Sequence, residues 1–152
     1  MGAWLLAVHL VAAALWVGGM GYAIMVLRPS LPVIEPAARA ALLFEAHRRF
    51  LRIVWAMMPL VLLSGYGLMF GVLGGFRGVG WAVHAMHTVG LVMGGLFLVI
   101  WFGPFQAMRR AMAAGELPAA MAANERLRKL IGINFSLGVL ALALGGFARF
   151  GA

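Results

Sequence analysis

The chain has 152 residues, 64% of them hydrophobic, with a mean hydropathy of +1.01 and a formal net charge of +8. A soluble domain is usually about 45–50% apolar, so the composition predicts one integral membrane domain over 1–152 and excludes a soluble globular class. The chain has no cysteine, which excludes disulfides, iron–sulfur clusters and thiolate metal sites.

The first span predicted is 3–27, with His9 and Tyr22 as its only ionisable side chains. Gly18, Gly19 and Gly21 cluster in its second half, where small residues let another helix approach. A basic n-region is missing ahead of it, so no cleavable signal peptide is expected. Pro29, Pro32 and Pro36 predict a break and a short extended turn, followed by an amphipathic helix over 37–50 that leads into the next span. The second span, 53–73, carries Pro59 in its interior, and the glycine-rich stretch 74–80 predicts a short hairpin loop.

The third span, 81–102, is free of Asp, Glu, Lys and Arg and ends at Gly103–Pro104. Trp4, Trp81 and Trp101 lie near span ends and read as interfacial anchors. A second long loop, 105–129, precedes the fourth span, 130–147, in which Asn134 is expected to bond across to another helix. Ten of the 12 basic residues fall in the two long loops. The positive-inside rule makes that side cytoplasmic and puts both termini outside. The connections favour an all-α, antiparallel up-down four-helix membrane bundle.

An imidazole inside a membrane span is costly and is a functional candidate by default. At about 1.5 Å per residue, His9 lies roughly 9 Å below the outer edge, His87 roughly 9 Å and His84 roughly 4.5 Å. Three of the four histidines therefore share one level of the outer leaflet. Neutral imidazole ligates both haem iron and bare metal ions. The leading expectation is a b-type haem held between His9 and either His84 or His87, with a redox or haem-pathway role; Trp16, nearer mid-span, packs on the cofactor or on another helix. The alternatives are a copper uptake or copper-handling protein using the same three histidines, and a structural subunit of a membrane complex. Met20, Met86 and Met93 are candidate soft ligands in the copper reading. His47, six residues before the second span, is either a headgroup-level residue or a second, inner cofactor site. Arg28 and Arg52 read as snorkelling anchors or as holders of an anionic group on the inner side.

The run His9-Leu-Val-Ala-Ala-Ala-Leu-Trp16-Val-Gly-Gly19 resembles the first span of the copper-resistance protein D superfamily. That superfamily of four-helix proteins also takes in the bacterial membrane protoporphyrinogen oxidases. Arg49-Phe-Leu-Arg52 with Pro59 is similar to the oxidases' second span, and Trp81-Ala-Val-His84 to the opening of their third. Phe102-Gly-Pro, Arg109-Arg110, Arg128 and Asn134 resemble the copper-resistance D branch more closely. Met86 stands where the oxidases have a lysine, and Asn134 lacks their following Glu-x-Pro. The resemblance implies a multi-pass protein of the bacterial inner membrane that binds haem b or handles copper, with an oxidoreductase activity left open. The partners it implies are membrane lipid, a quinone or another redox protein, and a second copy of the chain. Nucleic acid is not among them, because the basic charge sits at span ends.

Overall fold

The structure is a computed structural model that describes residues 1–150. Among the described residues it is all-helical, with four helices long and apolar enough to cross a membrane. They are α1 (Gly2–Val33), α2 (Pro36–Gly71), α3 (Trp81–Ala113) and α4 (Leu117–Phe150). The chain is therefore a multi-pass membrane protein. α1 packs mainly along α2 and α3 mainly along α4, giving two antiparallel hairpins that also meet through α1 and α4. One end of the bundle carries the described N-terminal residue and the 72–80 loop; the other carries the two long basic segments.

The helices outrun the apolar spans contained in them. α2 has 36 residues, roughly 54 Å at 1.5 Å per residue, against about 30 Å of hydrocarbon. Two expected breaks are not breaks. The helix passes through Pro29 as far as Ser30 and tightens into a 3₁₀ turn over Leu31–Val33, leaving only Ile34 and Glu35 between α1 and α2. It likewise passes through Pro104 and runs on to Ala113. A proline removes one amide donor and its ring crowds the carbonyl four residues back. At both places the chain widens into a π-turn, Ala23–Leu27 and Trp101–Phe105, which shifts the hydrogen-bond register around the ring. Pro36 occupies the first turn of α2, where its missing donor costs nothing.

The expected loop 105–129 is thus mostly helix. Its turn is Ala114–Glu116, with Gly115 at φ +73° and Glu116 N donating to Ala111 O at 2.9 Å. That left-handed glycine closes the end of α3 and reverses the chain into α4. The basic end of the bundle is in this way a helical extension of the spans.

The main core joins all four helices through Trp16, Val17, Leu51, Val54, Met93, Phe97, Leu127 and Ile131. It sits in the middle of the bundle and toward the basic end. In α1 the first buried residue is Ala12. Asn134 is 1% exposed and its Nδ2 donates to Met93 O at 3.4 Å, the cross-helix bond expected of it. Small residues do form the seam between helices: a Cβ at Gly19 would run into the Phe50 ring.

Candidate metal site at the terminal end

His9 lies on α1 against the C-terminal half of α2. Its Nδ1 is 2.9 Å from Val61 O and 3.2 Å from Ser64 Oγ. A carbonyl oxygen only accepts, so the contact requires the proton on Nδ1. Nε2 then carries the lone pair and is the nitrogen left for a ligand. A carbonyl accepting from the far nitrogen is how metal-binding histidines are generally oriented and made more basic. Ser64 is 5% exposed, and its hydroxyl also bonds back to Leu60 O in its own helix. Gly65 completes the seat: a Cβ there would come within 3.1 Å of His9 Cε1, so only glycine lets the ring lie this close to α2.

His84 and His87 lie in the first two turns of α3. His87 Nε2 and Tyr66 Oη are 2.9 Å apart, with the two rings edge-to-face at 5.3 Å. Phe76, from the 72–80 loop, stacks on His84 at 6.0 Å and meets His87 edge-on at 5.4 Å. Phe70 joins the same group through Tyr66 and Phe76. One aromatic side chain from the loop therefore brings the two imidazoles into a single cluster. The Thr88 hydroxyl donates to His84 O at 3.0 Å, which is local helix bonding.

His9 and His87 both lean on α2, but on different sides of it. Gly65 meets His9 and the next residue, Tyr66, meets His87; successive helical residues point about 100° apart. This arrangement suits a small ion at either side better than a flat macrocycle between the two imidazoles. Among the described residues, no three His, Cys, Asp or Glu side chains gather into one metal-binding group. His9 and the His84–His87 pair are thus two separate donor groups.

The other candidates fall elsewhere. Trp16 is 3% exposed and packs edge-to-face on Phe97 at 6.4 Å, so its indole is core. Met20 and Met93 belong to the same core, and Met86 lies against Gly145 of α4. Trp4 and Trp81 are largely exposed, as expected of interfacial anchors, whereas Trp101 packs against Trp55 and Phe105. His47 is far from this end; it is buried in α2 among the basic extensions. Sequence reasoning missed Ser64, Tyr66 and Phe76. The signal was present for two of them. Ser64 and Tyr66 are the polar side chains in the second half of the 53–73 apolar run, where each needs a partner.

The family described as copper resistance protein D matches residues 44–148. That stretch includes His47, His84 and His87 and begins after α1, so His9 lies outside it. Comparison with curated proteins gives no match, and neither does comparison with solved structures.

Proposed function

The chain belongs to the copper resistance protein D family, and from that premise we propose that it handles copper as cargo in the bacterial inner membrane. The observation that carries this reading is the seat of His9. Its Nδ1 is occupied by Val61 O and Ser64 Oγ, which leaves Nε2 as a free imidazole donor at the terminal end of the bundle. His84 and His87, which both pack on Phe76, supply further imidazoles at the same end of the bundle. Imidazole is a suitable ligand for either oxidation state of copper. In this reading the basic extensions face the cytoplasm and the histidines face the periplasm, where an incoming ion is met first.

The competing reading is a b-type haem held by the same histidines, with the redox chemistry of the protoporphyrinogen oxidases. The placement of His9 and His87 on different sides of α2 favours the ion. Metal analysis of the purified protein separates the two. The expected result is copper in stoichiometric amount and no Soret band. A red protein with a Soret band and no copper replaces the proposal with the haem reading; neither metal nor colour replaces it with a structural subunit.

The orientation has its own test. A reporter fused after Ala152, which lies outside the described residues, is expected to behave as exported. A cytoplasmic reporter would put His9 at the inner face and reverse the proposed direction of capture.

A further inference from the structure

The opposite, basic end of the bundle holds a cavity of ≈ 250 Å³ between α1, α2 and α4. Its polar wall is Arg28, Arg39, His47, Asn124, Glu125 and Arg128, and the rest of it is mainly aliphatic. Three guanidiniums therefore face one carboxylate. Glu125 takes Arg28 and Arg128 at 2.8 Å each. Arg39 spends Nε on Ile34 O at 2.8 Å and one Nη on Pro32 O at 3.2 Å, which fixes its position without neutralising it. Each guanidinium has five N–H donors, so donors remain unused after these contacts.

Two further groups in the same wall are unsatisfied. His47 is 9% exposed and Asn124 is 3% exposed, and the atoms His47 Nδ1 and Asn124 Oδ1 have no hydrogen-bond partner. Folded proteins rarely leave buried polar atoms without partners, and such a group calls for an explanation. An amide oxygen only accepts, so Asn124 meets an anion with the amide turned to present Nδ2, and His47 does so in the tautomer that carries its proton on Nδ1. The cavity around them has an excess of two positive charges. The charge decides the class of ligand. A cation beside His47 would face three guanidiniums, whereas an oxyanion would receive charge-assisted bonds from them.

We propose that this cavity is a binding site for a phosphate-class anion, held by the forks of Arg28, Arg39 and Arg128 and met by His47 and Asn124. This site is independent of the copper reading. The volume exceeds that of several waters at roughly 30 Å³ each, so it admits a phosphate group with part of what it is attached to. The anion has two possible sources, the headgroup of an anionic lipid or a free phosphate. Basic pockets between helices on the cytoplasmic side are recognised lipid-headgroup sites.

The test uses the whole protein in nanodiscs of zwitterionic phosphatidylcholine, with the thermal unfolding midpoint as readout. One arm titrates inorganic phosphate against chloride at constant ionic strength. The other replaces part of the lipid by phosphatidylglycerol. A saturable stabilisation is expected in at least one arm: phosphate alone identifies the free anion, phosphatidylglycerol alone the headgroup. Arg28→Gln with Arg128→Gln is expected to raise the half-saturation point about tenfold or more, while Arg126→Gln, an exposed neighbour outside the cavity, leaves it unchanged. If the double variant does not fold, Arg128→Lys and Asn124→Leu are read instead, and each is expected to weaken the response. No saturable response in either arm overturns the site. An equal loss in Arg126→Gln overturns it too, as does saturable copper(I) binding that His47→Leu abolishes.

Discussion

Replacing His9 by alanine is expected to remove copper binding at the terminal end while the bundle stays folded. The ring is half-buried and lies outside the main core, so its loss opens little space between helices. What it does remove is the only nitrogen in this seat with a free lone pair. Ser64→Ala is the graded companion. It takes away the 3.2 Å contact to Nδ1 but leaves Val61 O at 2.9 Å. Loss of such supporting partners costs about 10–100-fold in metal affinity, and retention of the carbonyl places the expected value at the lower end. Gly65→Ala acts through space: its Cβ would meet the ring at 3.1 Å and displace it by a few tenths of an ångström, which is expected to weaken binding only slightly. Competition against a chromogenic copper(I) chelator measures all three. Full affinity in His9→Ala would move the capture site to His84 and His87, which lie inside the family match.

The four crossings are legible in the sequence because long runs without charge have one physical solution in a bilayer, a helix that satisfies its own backbone. Their ends are not. Pro29 and Pro104 read as stops, since a proline in a regular helix costs a hydrogen bond and a clash. The π-turns at Ala23–Leu27 and Trp101–Phe105 absorb both. A register shift of that kind leaves no mark on composition. The helical character of 37–50 is legible too, but its continuity with the following span depends on packing against the ends of α1, α3 and α4. Counting residues leads to the expectation of a common level for His9, His84 and His87. It does not give their rotational positions, because a depth says nothing of which side of α2 a ring meets. Ser64 and Gly65 set that side, one by accepting a bond and the other by having no side chain. The basic cavity is hidden for a related reason. Arg28, His47 and Asn124 come from three helices, and the segments that carry them read as loops or interfacial helix.

Trp16→Ala is expected to destabilise the bundle by about 3 kcal/mol, toward the low end for a buried Trp→Ala change, without changing copper stoichiometry in the folded protein. Trp16 is 3% exposed, between Val17, Met20 and the edge-to-face ring of Phe97 at 6.4 Å. In a membrane the unfolded reference is lipid, which is as apolar as the core, so transfer from water contributes little. The cost is instead the dispersion attraction forfeited around the vacated volume, together with the aromatic pair, worth about 0.5–1.5 kcal/mol on its own. Trp16→Phe keeps a ring opposite Phe97 and is expected to recover most of the stability. Reversible unfolding in mild detergent, read beside copper content, separates packing from ligand contact. If Trp16 lined the metal site, the alanine variant would bind less copper per folded molecule. If it kept wild-type stability and lost copper, the tryptophan would belong to the site and not to the core. The packing at Phe97 predicts the reverse: a weaker bundle that still holds its full complement of metal at His9.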